Sequence, residues 1–304
     1  MVEIFAFLEL EQKLPFFKGL IPNIKKMKNI RIAVVISNSP VGKISQNLDV
    51  LAMRVKEAKK KDAAIICFPE MNITGYSTRK KIIDSAQFVP GPVTNELADL
   101  AKKENIVILA GLAEKDEKGL IFAGHLVVTP QGLSGVYRKL HIAPPEQKIF
   151  SPGRNLPLFE AHGVKFGIQL CYDAHFPELS TLMALHGADI IFFPHASPRG
   201  TPEEKFRSWM RHLTARAYDN GLFVVACNQV GENKNGLNFP GIALVIDPSG
   251  NVIEKDLSGK ENMTVVDLKA HDLAKIRNHK MRYFLPNRRS DIFDIPTSTN
   301  LKRK

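Results

Sequence analysis

Apolar residues recur along this chain with two periods. Ile30–Ser37 (IRIAVVIS) is a β-branched, nearly unbroken apolar run, the pattern of a strand buried on both faces. Leu48, Leu51, Ala52, Val55 and Ala58 follow at helical spacing and predict an amphipathic helix over 46–61. Ala63–Phe68 predicts a second buried strand, broken at Pro69. A helix near 93–104 and a strand at 106–112 continue the alternation. Residues 121–129 and 133–138 form a hairpin pattern joined at Pro130–Gln131–Gly132. Val164–Leu170 predicts a strand, Pro177–Leu185 a helix, and Asp189–Phe193 a strand ending at Pro194. Phe206, Trp209, Met210, Leu213 and Ala217 mark one long helix. Leu222–Cys227 predicts a further strand, Ile242–Ile246 and Asn251–Glu254 flank the turn Asp247–Pro248–Ser249–Gly250, and Met263–Val266 closes the series.

Alternating strands and helices predict an α/β fold whose apolar strands need helical cover. With no low-complexity stretch and no dividing linker, the economical division is one catalytic-sized domain over 29–293. Residues 1–28 are then an N-terminal extension of unknown role, and 294–304 a basic tail. A hydrophobic fraction of 44% and a charged fraction of 24% are those of a soluble globular chain. No segment approaches the roughly 18 uninterrupted apolar residues of a membrane span. Glu3 and Glu9 interrupt the apolar N-terminus, which argues against a secretory leader. Three cysteines without a CxxC pair exclude a disulfide framework and point to a reducing, cytoplasmic setting. The net charge of +11 comes from scattered lysines, with short clusters at Lys59–Lys61 and Lys102–Lys103. No nucleic-acid motif or aromatic platform accompanies them, so a solvated basic surface is expected rather than nucleic-acid or membrane binding.

Polar residues that end buried strands are the candidates for chemistry, because strand ends in α/β sheets face the ligand crevice. Glu70 follows Phe68–Pro69. Lys139 lies in Tyr137–Arg138–Lys139–Leu140–His141. Cys171 stands where a strand gives way to a turn before the helix at Pro177, a location expected to lower a thiol's pKa. A base, a cation and a thiol suffice for nucleophilic acyl chemistry. Spacing alone barely prefers Cys171 to Cys227, and each residue also fits a structural role. His141, His175 and His195 would be the ligands of a metal hydrolase, but their spacing matches no zinc signature.

The motifs resemble those of the nitrilase (carbon–nitrogen hydrolase) superfamily. Phe68-Pro69-Glu70-Met71 with Gly75-Tyr76 is similar to its glutamate segment, Tyr137-Arg138-Lys139-Leu140-His141 to its lysine segment, and Gly167-Ile168-Gln169-Leu170-Cys171-Tyr172-Asp173 with Phe176-Pro177-Glu178 to its nucleophile segment. Flanking likenesses include Ser151-Pro152-Gly153, Ala215-Arg216-Ala217, Cys227-Asn228 and Arg288-Arg289. The resemblance implies a four-layer α-β-β-α sandwich and subunits that pair through helices into a homodimer or larger homo-oligomer. It implies a Glu70 base, a Lys139 oxyanion partner and a Cys171 nucleophile, with Glu146, the Tyr172 amide, His175 and His195 positioning substrate. No metal or organic cofactor is implied. The expected reaction is hydrolysis of a small amide, ω-amidase-like, through a cysteine thioester. N-carbamoyl hydrolysis and nitrile hydrolysis are the alternatives within the superfamily, and an inactive scaffold is the alternative outside enzymology. His175 stands where carboxylate-binding relatives often have arginine, which lowers carbamoyl amino acids among the expected substrates.

Overall fold

A computed structural model describes residues 27–289. The expected extension at 1–28, apart from its last two residues, and the expected tail at 294–304 lie outside the described residues. The first half contains β1 (Ile30–Ile36), α1 (Ile44–Lys60), β2 (Ile65–Cys67), α2 (Lys81–Asp84), α3 (Pro92–Glu104), β3 (Val107–Lys115), β4 (Ile121–Thr129) and β5 (Gly132–Arg138). The second contains β6 (Phe159–Ala161), β7 (Val164–Ile168), α4 (Pro177–Leu185), β8 (Ile190–His195), α5 (Pro202–Met210), α6 (Leu213–Asn220), β9 (Phe223–Asn228), β10 (Val230–Glu232), β11 (Asn238–Pro240), β12 (Ala243–Ile246), β13 (Val252–Asp256), β14 (Asn262–Leu268) and α7 (Ala270–Arg277).

Two six-stranded sheets result, in the orders β14-β1-β2-β3-β4-β5 and β13-β12-β9-β8-β7-β6. Each has three adjacent parallel strands, β1-β2-β3 or β7-β8-β9, extended by antiparallel neighbours. Alternation along β1 shows why the sheets stack. Ile32, Val34 and Ile36 enter the core shared with the second sheet, whereas Ala33 and Val35 face Leu51 and Val55 of α1 and Leu97 of α3. Met183 and Ala184 of α4 and Leu213 and Ala217 of α6 close the outer side of the second sheet. The layers are therefore α-β-β-α, as expected.

Two sequence expectations need correction. The long helix across 206–217 is two helices. Arg211 and His212 bond to Ser208 and Trp209, three residues back, which ends α5, and α6 restarts at Leu213. Apolar spacing runs unbroken through the junction and so cannot reveal it. The strand predicted to end at Pro194 continues to His195, pairing Pro194 with Cys227 and His195 with Asn228 of β9. Pairing with β7 stops at Phe192, so the N–H that Pro194 lacks is not needed there. The short elements α2, β6, β10 and β11, and the helix α7, were not anticipated. Among the described residues, no helix is long and apolar enough to cross a membrane.

One close approach positions the turn after β2. Gly111 in β3 donates its N–H to Asn72 Oδ1 at 2.8 Å and accepts from Ile73 N at 2.9 Å. A Cβ at Gly111 would overlap the Met71 nitrogen and stand 2.9 Å from His125 Nδ1. Gly111→Ala must push the Glu70–Met71 turn off β3. We expect it to destabilise the protein by about 1–3 kcal/mol, read from the denaturant midpoint; an unchanged midpoint would show that the turn moves freely.

Candidate active site

Glu70, Lys139 and Cys171, far apart in sequence, meet at the ends of β2, β5 and β7. Glu70 begins the turn after β2, and Met71 beside it takes a left-handed φ of 54°. Lys139 directly follows β5; its N–H still pairs with the Ala123 carbonyl of β4, and its own carbonyl accepts from Gly153 N. Tyr137 and Lys139, two residues apart, point to the same face. Cys171 opens the 3₁₀ turn Cys171–His175 with a φ of 44°, an uncommon conformation for a side chain other than glycine. That bend turns the side chain out of the strand direction and leaves it partly exposed, whereas Cys67 and Cys227 are fully buried.

The Lys139 ammonium lies between two buried carboxylates. Its Nζ donates to Glu70 Oε1 and to Glu146 Oε1, each at 2.9 Å. Every other carboxylate oxygen also has a donor. Glu70 Oε2 accepts from Ala196 N at 2.9 Å, just past β8, and Glu146 Oε2 accepts from Ala143 N at 3.1 Å. Glu146 Oε1 additionally accepts from Tyr76 OH at 2.9 Å. Gln229, beyond β9, donates to the Glu70 carbonyl at 2.7 Å. The ends of four strands, β2, β5, β8 and β9, thus converge on one carboxylate–ammonium–carboxylate group.

A third buried carboxylate, Asp173, ties the cysteine turn to the lysine strand. It accepts from Tyr137 OH and His141 N at 2.8 Å and from Leu170 N at 3.1 Å, and its Oδ1 lies 2.9 Å from His141 Nδ1. The His141 ring stacks on Phe176, with centroids 3.6 Å apart. Arg216 donates twice to the Ala174 carbonyl and closes the turn from α6.

Electrostatics follow from this geometry. Burial pushes Glu70 up to about 7; the Lys139 charge opposes the rise and Glu146 adds to it. Burial alone would lower Lys139, but Glu70 and Glu146 hold it well above its ordinary value. Cys171 is pushed up to about 12, first by burial and then by the Glu70 carboxylate, against the pull of Lys139. The expectation of a depressed thiol pKa is therefore corrected. Two carboxylates outnumber the one ammonium, and a single 3₁₀ turn does not offset them.

Of the further residues expected from the sequence, Glu146 joins the central group. Tyr172 is partly buried and packs edge-on against His175 and Phe176. His175 is exposed, with its ring 4.6 Å from that of His212. His195 is buried, stacks on Trp209 at 4.2 Å, and has no hydrogen-bond partner on either ring nitrogen. His141, His175 and His195 do not gather, and among the described residues no group of three or more His, Cys, Asp or Glu side chains is disposed to hold a metal ion. Sequence reasoning missed Tyr76, Asp173, the Ala196 amide and Gln229. Tyr76 and Asp173 lie inside the motif segments; the clue to Asp173 was Tyr137, two residues before Lys139 and facing the same way.

The sequence profile of the carbon–nitrogen hydrolase family matches residues 31–278. The chain is 32% identical over 273 residues to a nitrilase of Pyrococcus abyssi, covering 87% of this chain and 96% of that protein. It is 29% identical over 261 residues to the ω-amidase NIT2 of Mus musculus, covering 83% and 92%. The crystal structure of a carbon–nitrogen hydrolase from Helicobacter pylori G27 superposes with a TM-score of 0.79 at 27% identity, covering 88% of this chain and 98% of that one.

Accessibility separates the three thiols. Iodoacetamide on the folded protein should label Cys171 before Cys67 or Cys227, because only Cys171 reaches solvent. Peptide mass mapping of a time course reads the order; earlier labelling of either buried cysteine would contradict this arrangement.

Proposed function

The chain belongs to the carbon–nitrogen hydrolase family, and on that premise we propose that Cys171, Glu70 and Lys139 hydrolyse a small amide through a cysteine thioester. The chain is an enzyme acting on C–N bonds other than peptide bonds, with the amidase-like chemistry of its relatives. The observation that carries the assignment of roles is the Lys139 ammonium held at 2.9 Å from both Glu70 and Glu146 beside a left-handed cysteine.

An ammonium has three donors, and two are taken by carboxylates. The third is left for the oxyanion that develops as sulfur adds to the amide carbon. The Tyr172 N–H, at the start of a 3₁₀ turn and so without a partner inside it, is the second donor. Because the thiol remains protonated at neutral pH, Glu70 takes its proton as the C–S bond forms. A pKa of about 7 lets the same group return that proton to the departing nitrogen. C–N cleavage then releases ammonia and leaves a thioester. Water adds to the thioester, giving its proton to Glu70, and collapse frees the carboxylic acid and restores the thiol. Glu146 holds Lys139 in place and keeps it charged throughout.

Variants distinguish the roles. Glu70→Gln keeps the shape but removes the proton acceptor, so any thioester formed on Cys171 should accumulate in a single-turnover mass experiment. Lys139→Ala removes an oxyanion donor from both steps, at a cost on the order of 10²–10³ or more in rate, with little adduct trapped. Cys171→Ala should be inactive. Near-normal turnover in any of the three would sink the assignment.

The pH dependence has a definite sign. Glu70 must be ionised to act as base, so kcat/KM should rise about tenfold per pH unit below 7 and level off above it. The Cys171 thiol, titrating near 12, should add no second limb below pH 10. A pH–rate profile that falls between pH 5 and 7 would require a protonated group instead.

A further inference from the structure

Asn228, which closes β9, belongs to one of the flanking motifs and has no part in the arrangement above. It is fully buried, and its side chain grips one residue from two sides. Its Oδ1 accepts from Ser197 N and its Nδ2 donates to the Ser197 carbonyl, each at 2.9 Å. The ladder of β8 ends at His195, which pairs with Asn228, so Ser197 lies beyond it and draws these bonds from a side chain instead. The residue between, Ala196, is 2% exposed and donates its N–H to Glu70 Oε2 at 2.9 Å.

The grip has a firm footing. Asn228 N–H bonds to the Ile242 carbonyl at 2.9 Å, the Gln229 carbonyl accepts from Gly241 N at 3.1 Å, and Val230 N–H reaches the Ser37 carbonyl beyond β1 at 3.1 Å. The segment 228–230 is thus tied to both sheets. Beside the grip, the Gln229 side chain donates to the main-chain carbonyl of Glu70 at 2.7 Å. Neighbouring side chains therefore hold Glu70 at its main chain and, through Ala196, at its carboxylate. Lys205 of α5 also reaches Ser197, at 2.8 Å, but by the hydroxyl and not the main chain.

Lys139 holds Glu70 Oε1, so the Ala196 donor fixes the other oxygen and with it the plane of the carboxylate. A donor to a buried carboxylate also favours its ionised form. The Ala196 amide is steadied on one side by the last pair of β8 and on the other by the grip on Ser197. Resting on the amidase reading above, we propose that Asn228 is a positioning residue for the base, which clamps Ser197 and so keeps the Ala196 N–H on Glu70. It touches no reacting atom and adds no step.

Asn228→Ala tests this. Without the clamp the Ala196 amide loosens, ionised Glu70 loses a donor, and its pKa rises. The acid limb of kcat/KM should move up by about one pH unit, the scale of one hydrogen bond to a charged group. The loss should then be about tenfold at pH 6 and small at pH 9. Ser197→Ala drops the hydroxyl contact with Lys205 but keeps both main-chain bonds, so its limb should stay in place. A loss in Asn228→Ala that is equal at every pH, as a smaller folded fraction would give, overturns the proposal. So does a limb that moves as far in Ser197→Ala. Amide hydrogen exchange on the unaltered protein needs no variant to fold. The Ala196 and Ser197 amides should be protected like the paired amides of β8 although both lie past its end, and rapid exchange of either would also overturn the proposal. Failure of the amidase reading itself looks different: the unaltered protein releases no ammonia from any amide and forms no thioester on Cys171, and the proposal falls with it.

Discussion

The structure around the candidate site depends on one buried ammonium held between two carboxylates. Lys139 is only 1% exposed, Glu70 is fully buried and Glu146 is 3% exposed. Charges so far from water persist only when they are paired with opposite charge and hydrogen-bonded. Here the partners come from separate parts of the chain: Tyr76 in the segment beyond β2, Ala143 in the loop beyond β5, and Ala196 and Gln229 beyond β8 and β9. The two sheets must therefore stack in a single register for the group to be satisfied. Removing any one charge would leave another uncompensated in a low-dielectric interior.

The same group explains the resting state of the cysteine. Burial disfavours a thiolate there, and the Glu70 carboxylate adds to that penalty against the pull of Lys139. The thiol is thus kept protonated until a substrate carbonyl offers Lys139 a developing negative charge. Burial, with a smaller push from Glu146, also raises Glu70 toward neutrality against the pull of Lys139, into the range where one group can both accept and return a proton.

Asp173 is the mechanical counterpart of that electrostatic group. By bonding Tyr137, His141 and Leu170 together, it fixes the cysteine turn to the strand that delivers Lys139. The left-handed Cys171 is held by this staple on one side and by Arg216 on the Ala174 carbonyl on the other. A strained residue needs such over-determination to stay in place.

Most of the strands and the main helices were legible in the sequence, because β-branched runs and helical spacing report burial directly, and burial drove the fold. The segments around Glu70, Lys139 and Cys171 were equally legible, since each is a polar residue at the end of an apolar run. What the sequence could not decide was contact between distant parts. Phe206 to Ala217 keeps helical spacing across a break that only backbone hydrogen bonds reveal. Cys171 and Cys227 are alike as strand-end cysteines, and only the turn at φ 44° exposes one and the sheet buries the other. The thiol pKa was misjudged for the same reason. The helix start beyond Cys171 suggested a depressed thiol pKa, but burial and the Glu70 carboxylate set its sign. Glu146 and Tyr76 acquire their electrostatic meaning only when packing sets their distances, because Coulomb interactions and desolvation depend on separation in space and not on separation along the chain.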